Sequence, residues 1–267
     1  MPDTERIGFA GTERIGFVGV AGAELAGVLH RAQTADGAPP WARGVVLMAH
    51  CFTCGKDLHT VTRMARGLAR AGFHAFRFDF TGLGESGGEF ADTTVSSNVG
   101  DLTRAAFALI QRNLAPSVLI GHSLGAAAVA LAAPKIKTAR AVVMVAPPSD
   151  VGHIRGLIDA TTLDDVVDGR SIVIGPRSFV VGDEFLADIA DHSVTAAVSA
   201  LGCPLLLLHG DRDDVVGLEH SRRLFESAQD PKRLVVLKDA DHLLSDRTQA
   251  EVAVGEIVRF VAEFSEA

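Results

Sequence analysis

The chain has 267 residues, 48% hydrophobic and 22% charged, the balance of an ordinary globular protein that can bury one sizeable core but is tight for two compact domains. A net charge of -8 and a pI near 5.7 argue against binding nucleic acid or an anionic membrane by bulk electrostatics. No segment has the uninterrupted apolar length of a membrane span, the start Met1-Pro2-Asp3-Thr4-Glu5-Arg6 lacks the basic end and apolar centre of a signal peptide, and three cysteines cannot all pair, so a cytoplasmic protein without a disulfide framework is expected.

Thr4-Glu5-Arg6-Ile7-Gly8-Phe9 recurs as Thr12-Glu13-Arg14-Ile15-Gly16-Phe17, and the second copy continues better into a first strand. A Gly-containing turn then leads to a strand over 24–30, predicting an antiparallel hairpin. Beyond a loop at Pro39-Pro40, the apolar run 44–49 reads as a buried strand. Strands and helices alternate from there: helix 58–71, strand 74–80, helix 97–113, strand 117–120, helix 123–133 and strand 140–146. Strands at 204–209 and 233–237 follow, with helices near 218–228 and 250–264, which predicts a mostly parallel sheet covered on both faces. The alternation fails between 147 and 201, where 171–174 and 178–181 flank Gly175-Pro176 as a small hairpin. This insertion is expected to cap the carboxyl ends of the strands, where open α/β sheets bind ligands.

Chemistry concentrates at Gly121-His122-Ser123-Leu124-Gly125, a G-x-S-x-G pattern between apolar Val118-Leu119-Ile120 and small Ala126-Ala127-Ala128. Strand, sharp turn and helix are the context that lifts a serine hydroxyl clear of a sheet. In a chain with 27 glycines the pattern alone is weak, and a second copy occurs at Gly84-Glu85-Ser86-Gly87-Gly88. No helix follows that copy, so Ser86 reads as a loop residue. A nucleophilic serine needs a general base and an orienting carboxylate. The strand ending at His209 exits into Asp211, Asp213 and Asp214, and the strand ending at Leu237 exits into Asp241-His242. His242, placed after the last strand and before the closing helix, is the candidate base. Asp213 is favoured as the acid because it precedes apolar Val215-Val216, which can anchor the loop, while Asp211 and Asp214 remain alternatives.

An oxyanion also needs donors, and the backbone N–H groups of Leu124 and Phe52 are the candidates. Phe52 lies within Cys51-Phe52-Thr53-Cys54, a C-x-x-C that admits redox or metal chemistry. Zinc needs four ligands and only Cys203, His50 and His59 add to the pair, so no metal is expected. Two small residues packing a tight loop is the default for the two cysteines, and a reversible disulfide distorting the loop is the alternative. Phe52, Leu124, Phe179 and Val215 are expected to form an apolar substrate wall.

With these pieces assembled, the chain resembles the α/β-hydrolase superfamily over nearly its whole length. The carriers are Gly121-His122-Ser123-Leu124-Gly125, His209-Gly210-x-x-Asp213-x-Val215-Val216 and Asp241-His242-Leu243-Leu244. More narrowly, the segments 49–57 and 77–86 resemble the hydrolase half of proteins that fuse such a domain to an OsmC-like peroxide-reducing domain. The resemblance implies an α/β-hydrolase fold, with an antiparallel N-terminal hairpin, helices on both faces and a small cap at about 147–201 of a single domain. It implies a serine carboxylic-ester hydrolase with a Ser123–His242–Asp213 triad, a small-molecule ester substrate and no cofactor. It favours Asp213 over its neighbours and makes Gly82-Leu83-Gly84-Glu85-Ser86 a structural loop. Where the family commonly has His-Gly-x this chain has His50-Cys51-Phe52, so the Phe52 donor is assigned by position. Acyl transfer or thioester cleavage by the same nucleophile, and a non-catalytic ligand-binding role, are the alternatives.

Overall fold

A computed structural model describes residues 11–33, 43–166, 169–174 and 177–264. The first copy of the repeat, Pro39-Pro40 and Gly175-Pro176 lie outside the described residues. The chain opens with the antiparallel pair β1 (Thr12–Val18) and β2 (Glu24–His30), as the hairpin pattern predicts. Strand β3 (Val45–Ala49), helix α1 (His59–Arg70), strand β4 (His74–Phe78) and helix α2 (Val95–Ile110) follow. Next come β5 (Val118–His122), α3 (Leu124–Ala132) and β6 (Ala141–Val145).

The insertion is richer than a hairpin. It comprises α4 (His153–Thr161), the antiparallel sheet β7 (Thr162–Val166), β8 (Gly169–Ile174) and β9 (Arg177–Gly182), then α5 (Asp183–Asp188) and α6 (Val194–Ser199). Strand β7 escapes a period-two reading because Thr162-Leu163-Asp164-Asp165-Val166 sets two acids side by side. The chain ends with β10 (Leu205–Gly210), α7 (Leu218–Ser227), β11 (Lys232–Leu237) and α8 (Arg247–Phe264).

The main sheet has eight strands in the order β1-β2-β4-β3-β5-β6-β10-β11, parallel from β4 onward. Its interior strands are apolar on both faces because helices cover both. Val45, Leu47 and Ala49 of β3 join one core cluster, and Val46 and Met48 the other. Strand β10 divides the same way, with Leu205 and Leu207 on one face and Leu206 and Leu208 on the other. Met64 and Leu68 of α1 meet Ile257 and Phe260 of α8 on one side, while Leu102, Val129 and Leu224 of α2, α3 and α7 fill the other. Strand β3 connects onward to β4 on one side, while its other neighbour is β5, so the order reverses there. A crevice at the carboxyl ends of strands opens at such a switch point.

Candidate active site

Strand β5 and helix α3 meet at Ser123, whose φ of 55° and ψ of -121° fall where non-glycine residues rarely sit. Holding it there costs on the order of 1–3 kcal/mol, which the surroundings must offset. The Ser123 N–H donates to the Val145 carbonyl at 2.9 Å, and its own carbonyl accepts from the Ala126 N–H at 2.9 Å. The flanking glycines are required by close approach. A Cβ on Gly121 would overlap the Gly125 carbonyl, and one on Gly125 would overlap the carbonyls of His50 and Ala49. The turn thus presses against the loop leaving β3. The second pattern copy has another occupation: Ser86 Oγ donates to the Asp79 carbonyl at 2.6 Å and accepts from the Ala26 N–H at 3.0 Å.

At the next two strand exits, His242 Nδ1 lies 2.8 Å from Asp213 Oδ2, and the Asp213 side chain is fully buried. Asp213 Oδ1 accepts from the N–H groups of Val215 and Val216 at 3.0 and 2.8 Å, which explains why the acid precedes that pair. Asp211 and Asp214 are exposed, and it is Asp213 that His242 bonds. Burial alone would raise the Asp213 pKa. Hydrogen bonds from His209, His242 and Val216 outweigh it and hold the carboxyl well below the usual carboxylate range. The acid is an anion throughout the neutral range.

Two histidines without a role in the sequence reading support this pair. His209 is fully buried, with Nε2 2.7 Å from the Val216 carbonyl and 3.3 Å from Asp213 Oδ2, while Nδ1 meets Ser221 Oγ at 2.7 Å. Two acceptors at Nε2 require a proton there, shared between the Val216 carbonyl and Asp213. His122, inside the elbow, donates from Nε2 to the His242 carbonyl at 2.7 Å, and the two rings lie 5.1 Å apart, tilted by 38°. Burial, helped by the nearby His242, pushes the His122 pKa down to about 4, so it is neutral at pH 7. Its Nδ1 has no partner among the described residues. His209 stands in the acid-loop motif and His122 in the elbow, but their roles depend on tertiary contacts to residues on other loops.

The loop leaving β3 carries the third component. Cys51 and Cys54 are joined as a disulfide, which corrects the default reading of two small packing residues. The Cys54 N–H donates to the Cys51 carbonyl at 3.2 Å, closing a tight turn in which Thr53 has a φ of 57°. His50 Nδ1 also meets the Cys51 carbonyl, at 2.9 Å, and its Nε2 accepts from the Phe80 N–H at 3.2 Å. The Phe52 N–H makes no hydrogen bond to a described residue, and Leu124, as the first residue of α3, has no intrahelical acceptor for its N–H. Behind the loop, Lys56 is buried with its Nζ 2.8 Å from Asp79 Oδ2 and 2.7 Å from Glu85 Oε2. Asp79 Oδ1 also accepts from the Lys56 N–H at 2.6 Å, tying this loop to the one after β4.

Ser123, His242, Phe52, Cys51 and Cys54 share one cavity of about 670 Å³. Leu58, Ile154, Leu157, Ile174, Val215 and Leu243 supply its apolar lining, and Arg177 adds a charge. The Ser123 hydroxyl makes no hydrogen bond to a described residue; such contacts often tighten only around a substrate. Of the expected wall, Val215 and Phe52 line the cavity. Phe179 does not: it packs on Phe90 at 5.3 Å, and Phe90 in turn backs Phe52 at 5.6 Å. Leu124 is buried and borders a smaller neighbouring space with Phe52. The insertion contributes Ile154, Leu157 and Ile174, and His153 Nε2 meets the Val215 carbonyl at 2.7 Å. Among the described residues no group of three or more His, Cys, Asp or Glu is placed to hold a metal ion, and no helix is long and apolar enough to cross a membrane.

A strained serine at the strand–helix turn, an Asp–His pair at later strand exits and the strand order together define a class. Residues 46–254 match the alpha/beta hydrolase family, and the chain belongs to it. The esterase domain of a Rhodothermus marinus protein is 33% identical and superposes with a TM-score of 0.73, covering 94% of this chain and 99% of that one. YfhR of Escherichia coli strain K12 is 28% identical over 200 residues, 73% of this chain, and the match spans 62% of that protein's length. The mitochondrial palmitoyl-protein thioesterase ABHD10 of Mus musculus is 24% identical over 201 residues, covering 72% of this chain and 67% of that protein.

Proposed function

We propose that the protein is a serine hydrolase of carboxylic esters, with Ser123 as nucleophile, His242 as general base and Asp213 as its orienting carboxylate. The buried Asp213–His242 hydrogen bond, opening onto the cavity that Ser123 shares, carries this reading. Asp213 holds the proton of His242 on Nδ1, leaving Nε2 to take the Ser123 proton and later give it to the leaving alcohol. Ser123 Oγ attacks the ester carbonyl, the alcohol departs, and water activated by the same imidazole releases the acid from the acyl-enzyme. The N–H groups of Phe52 and Leu124 stabilise the tetrahedral oxyanion, each worth about 10²–10³ in rate where such donors have been deleted. The chemistry uses no cofactor. The insertion acts as a small cap on a single domain, and its Ile154, Leu157 and Ile174, with Val215, favour short to medium acyl or aromatic groups.

Thioester cleavage by the same nucleophile is the second reading, favoured by the kinship with a palmitoyl-protein thioesterase. Likeness to the hydrolase half of OsmC fusions rests on the segments 49–57 and 77–86 alone. Ser123→Ala is expected to lower hydrolysis of a p-nitrophenyl ester by several orders of magnitude with the fold intact by circular dichroism. Turnover retained by that variant would defeat the mechanism. Ser86→Ala removes a loop pin instead, so it is expected to keep the wild-type rate within about twofold while losing about 1 kcal/mol of stability.

A further inference from the structure

The Cys51–Cys54 disulfide closes the turn that presents the Phe52 N–H, and both cysteines lie on the wall of the substrate cavity. The Cys51 carbonyl and the Phe52 N–H belong to one planar trans peptide and point in opposite directions. Whatever holds the carbonyl therefore aims the N–H. Two groups hold it: His50 Nδ1 at 2.9 Å and the Cys54 N–H at 3.2 Å. The second contact lies inside the turn that the disulfide spans. Within that turn Thr53, a β-branched residue, sits at a φ of 57°, a left-handed conformation that such residues rarely adopt. Cys54 is half-buried and Cys51 nearly fully buried, so Cys54 is the more accessible of the two.

We propose that the Cys51–Cys54 pair is a thiol–disulfide exchange site whose oxidation state sets the rate of the chemistry at Ser123, the disulfide form being the active one. This rests on the ester-hydrolase reading. A low-molecular-weight thiolate attacks Cys54 Sγ, the protein S–S bond breaks, and Cys51 Sγ leaves with the electron pair and takes up a proton. A second thiolate attacks the small-molecule sulfur of the mixed disulfide, releasing Cys54 thiolate and the oxidised small disulfide. The protein gains two electrons and two thiols lose them; an oxidised small disulfide drives the reverse. In the reducing compartment expected from composition, disulfides that do form are mostly transient, catalytic or redox-sensing. Cys203 takes no part: burial pushes its thiol up to about 11.

The test measures kcat and KM for p-nitrophenyl butyrate after equilibration in oxidised or reduced glutathione, with the cysteine state read by alkylation and intact mass on quenched aliquots. Reduction is expected to lower kcat about 10- to 100-fold, less than or equal to the loss of a whole donor, with KM within twofold and full recovery on reoxidation. A merely structural disulfide would change the melting temperature and leave kcat. The Cys51→Ser, Cys54→Ser double variant is expected to show the low kcat and to ignore glutathione. An equal or higher kcat in protein shown by mass to be reduced overturns the inference while leaving the hydrolase reading intact. Absence of ester turnover in both states overturns the hydrolase reading, and this inference with it.

Discussion

At the scale of single residues, the candidate site is organised by side chains that do not line its cavity. His209 shares one proton between Asp213 and the Val216 carbonyl, so it steadies both the acid and its loop. His209→Ala is expected to lower kcat roughly tenfold with KM unchanged, the scale of one hydrogen bond to a charged group. Steady-state kinetics on a chromogenic ester tests this, and a change confined to KM would show that the acid loop shapes binding instead. Ser123, Asp213 and His242 stand out in the sequence because each follows a recognisable strand. Phe179 misled because an aromatic in a hairpin gives no sign of which face its register presents. It braces Phe90 behind the cavity wall rather than forming it. Pairing of Cys51 with Cys54 was equally open, since C-x-x-C spacing permits a bond that the 5.3 Å Cα separation then allows.

At the scale of elements, the loops after β3 and β4 are joined by a buried cation. Lys56 Nζ reaches the buried Asp79 and the exposed carboxylates of Asp57 and Glu85. Lys56→Ala would leave Asp79 buried with only backbone donors, and a loss of about 3–5 kcal/mol is expected from denaturant unfolding. A loss below 1 kcal/mol would mean that water replaces the ammonium. The alternating strands and helices of the main sheet were readable because periodicity of two gives way cleanly to periodicity of 3.6. Within the insertion the hairpin at 171–174 and 178–181 was readable and stands as β8 and β9, whereas the short helices were not, since they gain their order from packing, as Phe185 of α5 does against Phe52 at 5.5 Å.

For the molecule as a whole, acid is the weak point. Buried His30 and His122 both have pKa values lowered to about 4, burial being the larger cause in each. The unfolded chain, with histidines near 6.5, binds protons that the native state refuses, so stability is full above about pH 6.5 and falls as pH drops towards 4. His122 alone accounts for up to about 3 kcal/mol over that interval. Asp213 acts further down: its depressed pKa stabilises the fold above about pH 4, and that contribution is lost as pH falls through the folded value. Urea unfolding at pH 7, 5.5 and 4.5 is expected to show a steady decline, and a flat profile would contradict the neutral burial of these rings.

The contact between Gly125 and the carbonyls of His50 and Ala49 leaves no room for a single added carbon. The turn at Ser123 and the loop after β3 are therefore pressed backbone to backbone, despite the long stretch of chain between them. Any side chain at position 125 must push the two apart, so Gly125→Ala is expected to cost about 1–3 kcal/mol in urea unfolding, and an unchanged midpoint would show that the backbones can give way.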